Sequence, residues 1–115
     1  MRVIVAIIQP IKLNVVRDAL QRIGVERMTI MDVQGYGRQK GQKSTFRSIE
    51  YKVDLLYKVA LEIVVNEDFL ERTLETLTLA ARSAGEGQIG DGKIFVLPCI
   101  RSIDMATGYE GPGAV

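Results

Sequence analysis

In the first third of the chain, the spacing of the apolar residues changes from a pattern typical of strands to one typical of helices and back again. Residues 3–8 are a continuous run of mostly β-branched residues, which predicts a central strand ended by Pro10. A helix is predicted next, because apolar residues recur three or four positions apart until Gly24, which would end it. The apolar stripe of this helix is formed by Leu13, Val16, Leu20 and Ile23. Residues 28–33 are predicted to form a second strand.

The same succession returns in the second half of the chain. Residues 59–65 alternate between two faces and predict a third strand, after which Asn66 is a favourable N-cap for a second helix. The apolar stripe of that helix is formed by Leu70, Leu74, Leu77 and Ala81. A last strand is predicted from Lys93 to about Ile103, followed by a loose tail over residues 106–115.

The order of these elements, β-α-β, a long loop and β-α-β, predicts the fold class. Two such halves form the ferredoxin-like split βαβ fold, an α+β domain in which both helices cover one face of an antiparallel sheet. We therefore expect one domain over residues 1–115. The other sheet face would be apolar and uncovered, which predicts a homo-oligomer with the sheets turned inward.

Composition and charge exclude several classes of function. Fifteen Lys and Arg stand against fourteen Asp and Glu, so the net charge of +1 gives no reason to expect a nucleic-acid partner. The chain has no His, and its single Cys, Cys99, lies in an apolar run typical of an inert buried thiol. The lack of a disulfide pair suits a reducing cytoplasm. An enzyme is disfavoured, because no His, reactive Cys or pair of acids stands near the glycine-rich segments.

Two segments are candidates for function. The long loop between Tyr36 and Tyr57 is rich in Lys and Arg, which suit an acidic or carbonyl-lined partner, unless the loop is simply a solvated excursion. Arg47, near its middle, is placed to be the leading contact. The second is the glycine-rich loop, residues 85–93, whose glycines and terminal lysine suit a phosphate group, although a common turn has the same pattern. A second glycine cluster is formed by Gly35 and Gly37. We expect the two clusters to lie at the ends of adjacent strands and to converge on one cleft.

In their order and spacing, several stretches of the chain resemble the PII signal-transduction proteins, over nearly its whole length. These stretches are residues 6–10 (AIIQP), 28–29 (MT), 35–41 (GYGRQKG), 50–51 (EY), Lys58, residues 62–65 (EIVV) and 90–96 (GDGKIFV). The resemblance implies a trimeric split βαβ protein that regulates nitrogen metabolism and is not an enzyme. It also implies ATP or ADP bound in clefts between subunits, and 2-oxoglutarate bound beside Mg²⁺-ATP.

The same resemblance implies the site residues, position by position. The nucleotide would be contacted by Thr29, Gly35, Gly37, Arg38, Val64, Gly90, Asp91, Gly92, Lys93 and Arg101, with adenine beside Thr29 and Val64 and the phosphates on residues 90–93. The Mg²⁺ ion and 2-oxoglutarate would be held by Gln39, Gly41 and Lys58, with Lys58 pairing with a carboxylate.

The loop between Tyr36 and Tyr57 matches the family's T-loop, about residues 37–57, which engages targets such as ammonium transporters. Arg47 matches the arginine that enters the transporter pore, and Tyr51 falls on the position that a uridylyltransferase modifies in many bacterial members. The resemblance thus implies a cytoplasmic protein that a membrane transporter recruits.

Two departures from the family pattern leave a second function open. Family arginines that reach the nucleotide phosphates are replaced by Asp104 and Ala106, with only Arg101 nearby, and residues 83–88 are about three residues longer than usual. Losing two cations would weaken a triphosphate site. The alternative is therefore a divergent sensor of ADP, AMP or another small anion such as bicarbonate, serving another transporter or pathway.

Overall fold

A computed structural model describes residues 1–36 and 55–115. This part of the chain contains the strands β1 (Arg2–Ile8), β2 (Thr29–Tyr36), β3 (Leu55–Val65) and β4 (Gly92–Pro98), and the helices α1 (Leu13–Arg22) and α2 (Glu67–Ala81). Short 3-10 helices cover Pro10–Lys12 and Pro112–Ala114. Within the described residues, no helix is both long and apolar enough to cross a membrane.

The four strands form one antiparallel sheet in the order β2-β3-β1-β4. The continuous apolar run of β1 is explained by this order, because β1 lies between β3 and β4 and has neighbours on both sides. Its last residue, Ile8, faces Val59 of β3 and Gly92 of β4. The split βαβ fold predicted from the sequence is confirmed.

One face of the sheet packs against both helices, as predicted. Alternate residues of β1 and β3 are buried there, and the apolar stripes of the helices close the core. Its fully buried side chains include Ile4, Ile8, Leu20, Leu61, Ile63 and Leu77. On the opposite face, none of the described residues forms such a cover, and Phe95 and Leu97 are 52% and 46% exposed there.

The strand ends differ from the prediction in three places. β2 runs to Tyr36 and β3 begins at Leu55, since these two residues pair with each other, so both strands extend into the segment predicted as a loop. Their exposed side chains carry no apolar alternation that would reveal a strand. β4 ends at Pro98 rather than near Ile103, because proline has no N–H for the ladder and its partner, Arg2, is where β1 begins.

The C-terminal segment is not the loose tail predicted from its glycines. Ile103 and Glu110 form an isolated antiparallel bridge, and a 3-10 helix follows at Pro112–Ala114. Asn66 and Arg27 donate side-chain hydrogen bonds to the carbonyls of Pro112 (3.2 Å) and Val115 (3.3 Å). Asn66 does precede α2, but its side chain holds this segment and makes no capping bond to the helix.

Cys99, which the sequence predicts to be buried, is only half-buried. Its backbone N–H donates to the carbonyl of Met1, and its thiol donates to the carbonyl of Arg101 at 3.4 Å. The chain leaves the sheet at Pro98, so one side of this residue stays open to solvent.

Candidate functional site

The carboxylate of Asp91 is turned into the glycine-rich loop and gives the loop its shape. One oxygen accepts the backbone N–H groups of Ser83 (2.9 Å) and Gln88 (2.8 Å), and the other accepts the Ser83 hydroxyl. These hydrogen bonds, with that of Ser83 Oγ first, lower the pKa of Asp91, because they favour the charged form. The side chain is thus satisfied by its own loop, and residues 83–88 fold around it.

Gly92 and Lys93 begin β4 at the exit of this loop. Gly92 has a φ of +125°, and a Cβ atom placed on it would lie 1.9 Å from the carbonyl oxygen of Ile7. Only glycine permits this close backbone approach. Lys93 follows with an exposed side chain, so a cation stands where the loop joins the sheet.

Lys58 connects β3 to the glycine-rich loop. Its ammonium donates a hydrogen bond of 2.7 Å to the carbonyl of Gly90. Burial is the main cause that lowers the pKa of Lys58, because it disfavours the charged form, while the nearby Asp91 opposes this effect. An ammonium has three donors, and only one of them is used by the described residues, which leaves two with respect to this part of the chain.

The two glycine clusters do not lie on adjacent strands, which corrects the expectation from the sequence. Gly35 lies near the end of β2 and Gly92 begins β4, and these are the two outer strands of the sheet. Both positions are nevertheless at the same end of the sheet, and Lys58 on β3 lies between them. A Cβ atom on Gly35 would meet nothing within 4 Å, so this glycine borders open space.

Thr29 and Val64 line a different part of the molecule. They border a cleft of about 450 Å³ together with Glu62 and the C-terminal residues Ala114 and Val115. A second cleft, of about 400 Å³, shares Val64 and lies between the end of α1 and the start of α2. The structure thus brings together Thr29 and Val64, the pair that the sequence assigns to adenine.

The residues expected to contact adenine, Thr29 and Val64, lie far from residues 90–93, which are expected to contact the phosphates, within one chain. Thr29 pairs with Glu62, whereas Gly92 is level with Val59 across β1. Three strand spacings and a shift of three residues along β3 place Thr29 and Gly92 roughly 17 Å apart.

Arg101 lies outside both clefts and is engaged by Glu110. Its guanidinium donates two hydrogen bonds, of 2.7 and 3.0 Å, to the two carboxylate oxygens. This pairing raises the pKa of Arg101 and lowers that of Glu110. Asp104 builds the adjoining turn, since its side chain accepts the backbone N–H groups of Ala106 (2.8 Å) and Thr107 (3.2 Å).

Several predicted site residues lie outside the described part of the chain. They are Gly37, Arg38, Gln39, Gly41, Arg47 and Tyr51. Conversely, sequence reasoning missed Ser83 and Glu110, which organise the glycine-rich loop and the C-terminal turn. A serine eight residues before an aspartate gave no periodic signal.

The fold is that of a small α+β domain of the split βαβ class. Residues 1–109 match the family model described as nitrogen regulatory protein P-II. The chain is 43% identical to the nitrogen regulatory protein GlnK1 of Methanosarcina mazei, over 100% of this chain and 97% of that protein. It is 46% identical to nitrogen regulatory protein P-II of Klebsiella oxytoca and to P-II 1 of Escherichia coli, over the full length of each. The chain therefore belongs to the P-II family of nitrogen regulatory proteins.

Proposed function

We propose that this protein is a regulator of nitrogen metabolism that works by binding adenine nucleotides between the subunits of a homotrimer, without turning them over. The observation that carries the proposal is the glycine-rich loop. Its only carboxylate in residues 90–93, on Asp91, is hydrogen-bonded within the loop, so its negative charge is partly offset towards an incoming phosphate. The cation of Lys93 and the backbone N–H groups of Gly90 and Gly92 suit such an anion.

The trimer is supported by the uncovered sheet face and by the distance between the two halves of the site. Phe95 and Leu97 expose apolar surface on that face, which burial between subunits would stabilise. Thr29 and Val64 of one subunit with residues 90–93 of the next would complete a nucleotide site that one chain splits.

A second effector, 2-oxoglutarate, would bind beside Mg²⁺-ATP. The half-buried ammonium of Lys58 uses one donor within the described residues, and its other two donors would suit a carboxylate of this ligand. Gln39 and Gly41, assigned to the same site, lie outside the described residues. In the same proposal, Arg47 contacts a membrane transporter such as an ammonium transporter, Tyr51 is the site for a uridylyltransferase, and the protein is cytoplasmic until the transporter recruits it.

The second candidate is a sensor of ADP, AMP or another small anion such as bicarbonate. Two observations favour it. Asp104 and Ala106 stand where the family has arginines, and Arg101 is occupied by Glu110. Because these cations are missing or engaged, the third phosphate of ATP would add less binding energy than it would in a site with free arginines.

Titration with 2-oxoglutarate separates the two candidates. For the nitrogen regulator, calorimetry should detect 2-oxoglutarate binding in the presence of Mg²⁺-ATP and little or none without it. Binding that is independent of Mg²⁺-ATP, or absent in both conditions, would favour the second candidate. Turnover of ATP well above that of a Lys93→Ala variant would contradict both, because it would indicate an enzyme.

A further inference from the structure

One set of hydrogen bonds gives the glycine-rich loop its shape, and a different hydrogen bond holds the loop in position relative to the sheet. All three hydrogen bonds to the Asp91 carboxylate come from Ser83 and Gln88, so they stay within residues 83–91. They fix the curvature of the loop. They do not connect the loop to the remainder of the sheet, and the β4 ladder to β1 begins only at Gly92.

Lys58 supplies a connection from the loop to the sheet. Lys58 directly precedes Val59, which pairs with Ile8, the last residue of β1. Gly90 lies two residues before Gly92, which pairs with Ile8 from the other side. The 2.7 Å bond from Lys58 Nζ to the Gly90 carbonyl therefore passes over the end of β1 and ties β3 to the loop. A bond from a charged donor in a half-buried position is among the stronger kinds.

We propose that Lys58 is a positioning residue for the glycine-rich loop, holding Gly90 in place so that the loop already has the position needed to receive a phosphate group before any ligand arrives. This role is independent of any carboxylate that Lys58 also binds, since the bond to Gly90 uses only one of the three donors of the ammonium. Only the consequence for nucleotide affinity rests on the proposed function.

Hydrogen exchange in the ligand-free protein tests the positioning role directly. In Lys58→Met, the amides of Ser83, Gln88 and Asp91 should exchange about tenfold faster, because the loop opens more often without its tie to β3. Lys58→Arg keeps a charge and donors and should restore exchange to within about threefold of the wild type. Arg22→Gln removes a cation at the far end of α1 and serves as the charge control.

Amides of β1 and β3 provide the internal reference for folding. If Lys58→Met also loses protection at Leu61 and Ile63, Lys58→Gln replaces it and is judged by the same criterion. Loop exchange equal to the wild type in a folded variant would overturn the proposal.

Calorimetry with ADP, without any dicarboxylate, tests the consequence for the nucleotide. Lys58→Met should bind ADP about tenfold more weakly than the wild type and Arg22→Gln. Unchanged affinity despite faster loop exchange would contradict the link between loop position and phosphate binding. If the wild type binds no nucleotide, the proposed function fails, whereas the exchange comparison still decides the role of Lys58.

Discussion

The backbone N–H of Ser83 donates a 2.9 Å hydrogen bond to the Asp91 carboxylate and so closes the glycine-rich loop over eight residues. A residue that the sequence assigns to the phosphates of a ligand is thereby shown to hold the loop itself. The carboxylate faces into the loop, whereas the side chain of Lys93 is exposed.

Asp91→Asn should lower the free energy of unfolding at pH 7 by about 1 kcal/mol, because the neutral amide accepts the N–H groups of Ser83 and Gln88 less strongly. The pKa of Asp91 is lowered in the fold, so its contribution to stability is complete above the ordinary value of 3.8 and is lost as the pH falls below that value. Urea unfolding of both proteins between pH 7 and pH 3 measures the difference.

The matched control for this prediction is Asp18→Asn, on the exposed side of α1. It should change stability by less than about 0.5 kcal/mol at each pH. A difference between the wild type and Asp91→Asn that stays constant down to pH 3 would show that the charge of Asp91 is not responsible.

Gly92→Ala should destabilise the protein strongly. Its Cβ atom would lie 1.9 Å from the Ile7 carbonyl oxygen, and the backbone φ of +125° is unfavourable for alanine, so we expect a loss of about 3 kcal/mol or more. Gly35→Ala meets no atom within 4 Å and should stay within about 0.5 kcal/mol of the wild type. Thermal and urea unfolding compare the two; equal effects would mean that β4 does not approach Ile7 this closely.

The two residues that depart from the family pattern can be tested by their effect on nucleotide preference. Asp104→Arg combined with Ala106→Arg should raise the affinity for ATP relative to ADP by about tenfold, because two cations are added where the family places them. Asp104→Asn is the control, since it removes the charge but keeps an acceptor for the Ala106 and Thr107 amides.

The measurement is parallel calorimetric titration of the three proteins with ATP and ADP. Asp104→Asn should change the ratio of the two affinities by only a few fold. An identical ratio in all three proteins would place positions 104 and 106 away from the nucleotide.

The elements that pack in the core were predictable from the sequence, because burial of one face makes apolar residues recur at regular spacings. The strand at residues 3–8 and the apolar stripe of α1 follow directly from it, and Gly24, with its φ of +93°, ends that stripe as predicted. The early start of β3 at Leu55 was not predictable in this way, since none of its first four residues is fully buried and they pair only with β2.

The arrangement of the candidate site was less predictable, because its contacts join residues distant in sequence. The pairing of Lys58 with Gly90 spans 32 residues and that of Asn66 with Pro112 spans 46. Residue type indicated a phosphate-binding loop, yet it could not reveal that Asp91 faces inward. Nor could it reveal that Arg101 is bound to Glu110.

Calorimetric titration with ATP, ADP and AMP, each with Mg²⁺, tests the central claim most directly. We predict saturable binding of ATP or ADP with one site per subunit, and its loss in Lys93→Ala, whose trimer should remain intact by size-exclusion chromatography with light scattering. Absence of binding for all three nucleotides, or an unchanged affinity in Lys93→Ala, would contradict a nucleotide site at the glycine-rich loop.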